Sequence, residues 1–207
     1  MNSSKIIGMG FHVPDNIITN EELSQKIDTS DEWIQTRSGI RERRWATEEI
    51  STFDLAHQAS LNAISNAGIN PQDIDMIVVG TLSSDYFFPG VSAQIQEALE
   101  IGPIAAFDVK AACSAFIYSL SIGDQFIQTG KYQTVLVIGA EVQSTALDMS
   151  TKGRDMAVLF GDGAGAVILK KHDGDSGILS THLHCQGKYL KELWCEGPTS
   201  RENPRIS

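Results

Sequence analysis

Residues 104–139 read IAAFDVKAACSAFIYSLSIGDQFIQTGKYQTVLVIG, and this stretch decides the fold class. It opens on a short strand-like run, residues 104–109. It closes on residues 134–139, a continuous apolar run of the kind seen in strands buried on both faces. Between them, residues 113–129 carry Phe116, Ile117, Leu120, Phe126 and Ile127, with Gly130 as a helix stop. Strand, helix and strand in succession imply a sheet covered by helices.

The alternation continues on both sides. Residues 4–11 read as a first strand, with glycines where backbones pack closely. Asn20 and Ser30 each stand as a helix N-cap before acids in a first turn, Glu21 and Glu22 in one case and Asp31 and Glu32 in the other. Residues 51–67 carry apolar side chains at 53, 56, 59, 63, 64 and 67, and Gly68 followed by Pro71 ends that helix. Residues 74–80 form a buried strand, residues 90–99 a helix, and residues 156–169 and 177–185 two further strands. The order β-α-β-α-β-α-β-β predicts an α/β fold: a mainly parallel sheet with helices on both faces. Residues 186–207 hold Gly187, Gly197, Pro198 and Pro204 without periodicity. They are expected to form an irregular connecting segment after a globular unit over residues 1–185, with the C-terminal part of a larger protein absent.

Composition excludes several classes. Of the 207 residues, 42% are hydrophobic and 20% charged, which is ordinary globular usage and not that of a disordered chain, a collagen or a coiled coil. Twenty-six acidic against sixteen basic residues give a net charge of −10, which argues against general nucleic-acid binding. Arg37, Arg41, Arg43 and Arg44 around the single acid Glu42 make residues 37–45 a local exception. No apolar run is long enough for a membrane span, and the first residues lack the pattern of a secretory leader. Cys113, Cys185 and Cys195 show no paired spacing, so a reducing cytoplasm is expected. His182-x-His184-Cys185 is the tightest potential ligand group. Its alternation reads better as a strand near the surface, and no metal site is expected.

The candidate chemistry lies at Cys113. The strand at 104–109 leads through Lys110-Ala111-Ala112-Cys113-Ser114 into the helix, which sets the thiol at the C-terminal edge of the sheet, where open α/β folds bind ligands. The positive end of the helix dipole favours negative charge on the sulfur. Small neighbours (Ala111, Ala112, Ser114, Ala115) leave room for a substrate. A buried, inert cysteine is the alternative.

Three separated motifs carry a resemblance: Phe107-Asp108-Val109 with Ala112-Cys113, residues 28–43 (DTSDEWIQTRSGIRER), and Phe160-Gly161-Asp162-Gly163-Ala164-Gly165-Ala166. With Ser180-Thr181-His182-Leu183-His184, they are similar to β-ketoacyl-acyl-carrier-protein synthase III from residue 4 to about 190. The resemblance implies the first half of a layered αβαβα thiolase fold. It also implies a decarboxylating condensation of a short acyl-CoA with malonyl-acyl-carrier protein, initiating fatty-acid synthesis through an acyl-cysteine. Cys113 is then the nucleophile, and Trp33, Arg37 and Arg154 hold the coenzyme A of a thioester substrate, with no permanently bound cofactor. Phe88 reaches across a homodimer interface to floor the partner's acyl pocket. Arg41, Arg43 and Arg44 are either a solvated loop face or contacts to phosphate or the carrier protein. Gly161, Asp162 and Gly163 read as structural, and their spacing lacks the Lys-Ser/Thr of a phosphate loop.

Two departures stand out. Ala115 replaces a common glycine beside the nucleophile, which adds a methyl that could alter the acyl pocket. The family's catalytic His and Asn lie in its second half, and none of His12, His57, His172, His182 or His184 matches them. The chain alone is therefore expected to be inactive in condensation. Acyl transfer in secondary metabolism and a non-catalytic subunit needing a C-terminal partner remain the alternatives.

Overall fold

The computed structural model describes residues 3–194. Its elements are β1 (Ser3–His12), β2 (Ile17–Thr19), α1 (Asn20–Ser24), α2 (Asp31–Ser38), β3 (Glu42–Arg44), α3 (Thr52–Ala67) and β4 (Met76–Gly80). They continue with α4 (Val91–Ala98), β5 (Ala105–Val109), α5 (Ala115–Gln128), β6 (Thr134–Glu141), α6 (Arg154–Ala157) and β7 (Gly163–His172). Five strands form one sheet in the order β1-β7-β6-β4-β5, and β2 and β3 form a separate hairpin. β4 pairs in parallel with β5 and β6, whereas β7 runs antiparallel to both β6 and β1. Four strands thus point one way and β7 points against them. The sheet is mainly parallel in direction, yet its ladders are half antiparallel, a mixture the apolar runs did not reveal.

Alternation along the strands builds two cores. Ile77, Val79, Leu136, Ile138 and Ile168 face α3 and α4, while Met76, Val78, Val135, Val137 and Leu169 face α5. Both faces are covered, which is why these strands read as unbroken apolar runs. On α5, Ile127 is fully buried and Phe116, Leu120 and Phe126 are half-buried against the sheet, while Ile117 is exposed. A third cluster joins Ile18, Leu23, Ile27, Ile34, Ala157 and Val158, packing α1, α2 and α6 around the small hairpin.

Local signals explain the helix bounds. Ser51 caps α3 in a reciprocal box with Asp54, and Gly68 ends it at φ +66°. For α1 the cap is Thr19, boxed with Glu22, and not Asn20. Asn20 is the first helical residue, and its side chain is turned into the interior. The strand expected at 177–185 is absent: this segment is held by isolated bonds, from the Ile178 amide to Ser4 O (2.9 Å) and between Ser121 and Thr181 (2.9 Å), with no ladder partner. The expected strand at 156–169 begins only at Gly163, because residues 154–157 form α6. Of the segment expected to be irregular from 186, residues 187–189 form one short turn of 3₁₀ helix, and 195–207, with Cys195, lie outside the described residues.

α3 sits close on β1 because each side is small at the contact. A β-carbon at Gly10 would overlap the α3 backbone at Ala59 and Ala63. Replacing Gly10 by Ala is expected to cost about 1–3 kcal/mol through overpacking, whereas Gly165→Ala, which meets open space, should be near neutral. Urea denaturation of the two variants checks the contrast.

Candidate active site

The edge of the sheet where β4 and β5 end gathers the candidate residues. Gly80 is in register with Val109 on one side and Gly139 on the other. The loops 81–90, 110–114 and 142–162 therefore all leave one edge. β7 starts from that edge too, since Glu141 pairs with Gly163.

Carboxylates fix these loops. Asp108, near the end of β5, accepts hydrogen bonds from the Val91 and Ser92 amides (both 2.9 Å) and so caps α4. Glu141 accepts from the Leu82 amide (2.7 Å) and the Ser83 hydroxyl (2.6 Å). Asp162, only 5% exposed, accepts from the amides of Ala46 (2.6 Å), Gln143 (2.8 Å) and Ser144 (2.9 Å). Its bonds are all structural, in line with the reading of the Phe160–Ala166 motif.

Cys113 lies exposed in a 3₁₀ turn, Ala112–Ser114, that runs directly into α5. Ala112 adopts φ +48°, a left-handed conformation that costs a non-glycine residue roughly 1 kcal/mol. This bend presents the sulfur beyond the sheet edge. α5 starts without a side-chain cap, and the chain closes its own start: the Ser114 amide donates to Ala111 O (3.2 Å) and the Ala115 amide to Ala112 O. The helix N-terminus reaches the sheet because Gly80 and Gly139 lack side chains: a β-carbon at Gly80 would lie 2.7 Å from the Ala115 carbonyl carbon. The Ala115 methyl, expected to intrude beside the nucleophile, is buried at 3% exposure and faces Gly80 of β4.

Trp33, Arg37 and Arg154 meet. The Ser30 hydroxyl accepts from the Trp33 amide (3.1 Å) and starts α2, which sets the indole one turn before Arg37. The Arg37 and Arg154 guanidinium carbons lie 4.3 and 4.6 Å from the indole centroid. Trp33 also packs on the third core cluster. Arg154 comes from α6 in the loop 142–162, and donates to Asp28 O (3.0 Å). Phe88 lies in loop 81–90 at 58% exposure, edge-on to Phe87 at 75%, with centroids 6.2 Å apart. The clamp, Phe88 and Cys113 share one edge, but no direct contact links Cys113 to the other two among the described residues.

Arg41, Arg43 and Arg44, whose roles the sequence leaves undecided, part company in the structure, with Arg43 the exception. It is buried, not part of a solvated loop face. Its guanidinium donates to Ile18 O (3.1 Å), Asn20 Oδ1 (2.6 Å) and Val158 O (3.3 Å). Burial lowers its proton affinity below the ordinary arginine range. Arg44 is tied to the Pro14 and Asp15 carbonyls, and Arg41 is exposed beside a cavity of about 400 Å³ lined by Thr29 and Asp31. Reading Asn20 as the cap of α1 hides its place as the buried partner of Arg43. The His182–His184 segment runs along α5, where the Tyr118 hydroxyl donates to His184 O (3.4 Å).

Ala112→Val is expected to cost about 1–2 kcal/mol through backbone strain alone, because the side chain is exposed, while Ala112→Gly should be close to neutral. Thermal melts of the two variants test this.

Comparison with known proteins supplies the family. The model for 3-oxoacyl-[acyl-carrier-protein (ACP)] synthase III matches residues 107–187. A β-ketoacyl-[acyl-carrier-protein] synthase III of Xanthomonas campestris is 48% identical over 191 residues, 92% of this chain and 58% of that protein. The crystal structure of the 3-oxoacyl-[acyl-carrier-protein] synthase III from Aquifex aeolicus superposes at TM-score 0.86 and 45% identity, covering 89% of this chain and 59% of that one. A priming β-ketosynthase from the R1128 polyketide biosynthetic pathway superposes at TM-score 0.79 and 34% identity, covering 83% and 51%. The α/β, thiolase-like architecture is shared with these structures. With motifs in the same order, the same sheet and close to half of its residues identical, the chain belongs to the β-ketoacyl-[acyl-carrier-protein] synthase III family, spanning about 58% of the length of its curated relatives.

Proposed function

We propose that the chain carries the acyl-accepting part of a condensing enzyme that joins a short acyl-CoA to malonyl-acyl-carrier protein and so initiates fatty-acid synthesis in the cytoplasm. The observation that carries this reading is the exposed Cys113 at the uncapped N-terminus of α5, at the edge shared with Arg154. Its thiolate attacks the thioester carbonyl of acyl-CoA. The C–S bond to the coenzyme breaks, coenzyme A leaves as its thiolate, and the acyl group stays on the sulfur. The tetrahedral oxyanion is stabilised by an oxyanion hole that includes the main-chain amide of Cys113, just before α5.

Coenzyme A is held by Trp33, which offers an indole face to adenine, and by Arg37 and Arg154, whose forks suit phosphate. In the second half-reaction malonyl-acyl-carrier protein loses carbon dioxide. The resulting enolate carbon attacks the acyl-cysteine, which frees the thiolate and gives 3-oxoacyl-acyl-carrier protein. The His and Asn that the family uses in that step have no match here, so these 207 residues accept an acyl group without condensing it. Phe88 and Phe87 are proposed as a homodimer contact, with Phe88 flooring the partner's acyl pocket. Their exposure supports this, since adjacent aromatics are seldom left in water. Similarity to a priming β-ketosynthase from a polyketide biosynthetic pathway supports a second reading, acyl transfer in secondary metabolism.

Incubation with acetyl-CoA is expected to add one acetyl group to Cys113, seen by intact-protein mass spectrometry, and Cys113→Ser should abolish it. Label that survives the substitution would rule out Cys113 as the acceptor. Arg37→Ala and Arg154→Ala should each weaken coenzyme A binding roughly 10- to 100-fold, as expected for loss of charge-assisted hydrogen bonds. Calorimetric titration with unchanged affinity would remove them from the site.

A further inference from the structure

The two sides of the indole–guanidinium clamp come from distant parts of the sequence, Trp33 and Arg37 from α2 and Arg154 from α6. Ile34 of α2 and Ala157 of α6 share the third core cluster, an apolar contact without directional bonds. The Arg154 side chain reaches α2 and its approach through stacking on Trp33 and one hydrogen bond to Asp28 O, and its Nε has no hydrogen-bond partner among the described residues. A second, buried connection exists below these contacts. One guanidinium nitrogen of Arg43 donates both to Val158 O, at the C-terminal cap of α6, and to Asn20 Oδ1. The Asn20 amide nitrogen donates in turn to Asp31 Oδ1 (2.8 Å), on the first residue of α2, and to Ile40 O (2.7 Å), just past its end. The buried hydrogen-bonded path from α6 to both ends of α2 therefore runs through one arginine that is 6% exposed.

The charge of Arg43 is not matched by a carboxylate: among the described residues its partners are two carbonyls and an amide oxygen. Burying a cation in this way is costly, and a hydrophobic residue would fill the space at lower cost. What an apolar side chain lacks is a planar fork reaching three acceptors on two distant segments, 18–20 and 158, at once. Lysine keeps the charge but has no such fork.

We infer that Arg43 is a positioning residue that locks α6 to α2 and so sets the spacing between Arg154 and Trp33. Its function is to hold the clamp preformed, so that a ligand does not bear the cost of ordering it. The reading of the clamp as a coenzyme A site enters only through the ligand measurement below.

The test uses the full chain with Arg43→Lys and Arg43→Gln. Hydrogen–deuterium exchange without ligand is expected to rise in residues 28–38 and 154–158, while β4, β6 and α5 keep their protection. Unchanged exchange in both segments overturns the inference, whatever the ligand does. If Arg43→Gln fails to fold, Arg43→Lys, which retains the charge and three donors on a single nitrogen but not the fork, carries the measurement. In calorimetric titration both variants should bind coenzyme A about tenfold more weakly than wild type, while the rate of Cys113 alkylation by iodoacetamide stays unchanged. Equal coenzyme A affinity in variant and wild type overturns the inference. A wild-type chain that binds no coenzyme A sinks the coenzyme reading instead, and exchange alone then decides the role of Arg43.

Discussion

A helix can bring its end onto the edge of a sheet only where the strands beneath offer no side chain at the contact. β4 and β6 meet that requirement at one level, with Gly80 and Gly139 in register, and α5 contributes Gly123 where it lies against Val135, Val137 and Leu169. These three hydrogens in place of side chains set how near α5 comes to the sheet. Everything that concerns Cys113 depends on that approach: the tight turn that carries it, the left-handed Ala112, and a helix that starts at the level of the sheet edge. Helix and sheet here share one geometric decision.

The acidic composition looks different once the structure is considered. An excess of carboxylates is first an argument about a surface and its partners. Several of them are occupied with the backbone: Asp75 accepts from the amides of Gln133 and Thr134, Asp85 from those of Thr52 and Phe53, and Asp108, Glu141 and Asp162 fix the loops at the working edge. A carboxylate accepts two main-chain amides at once, which neither a hydroxyl nor a lone carboxamide oxygen does as strongly. Part of the negative charge is thus a fastening for loops that have no regular structure of their own.

What could be read in advance follows the same division. α3 was legible nearly to the residue because Ser51, Asp54 and Gly68 act locally, within one turn of the ends they define. The turn carrying Cys113 was legible because a strand, small residues and a helix follow each other directly. The segment 177–185 was misread because its apolar alternation is a strand pattern only if another strand is there to pair with, and none is. Direction was hidden for the same reason: nothing in β7 itself says that it runs against β6. Arg43 and Asn20 were obscure for a further reason. Burial of an arginine depends on which carbonyls happen to face it from Ile18 and Val158, residues 25 and 115 positions away.

The stacked arrangement at Trp33 has a consequence for the proposed reading of the site. With guanidinium carbons 4.3 and 4.6 Å from the indole centroid, the ring already has two cationic partners. A flat ring that took the place of one of them would exchange one stacking partner for another, so stacking by itself would yield little net affinity. A guanidinium shifted in this way would make the exchange favourable by meeting an anion on the same ligand, while the spacing of the two helices stays as it is. On that reading the three side chains would favour a ring joined to phosphates over a bare aromatic fragment, with no group dedicated to rejecting the wrong molecule.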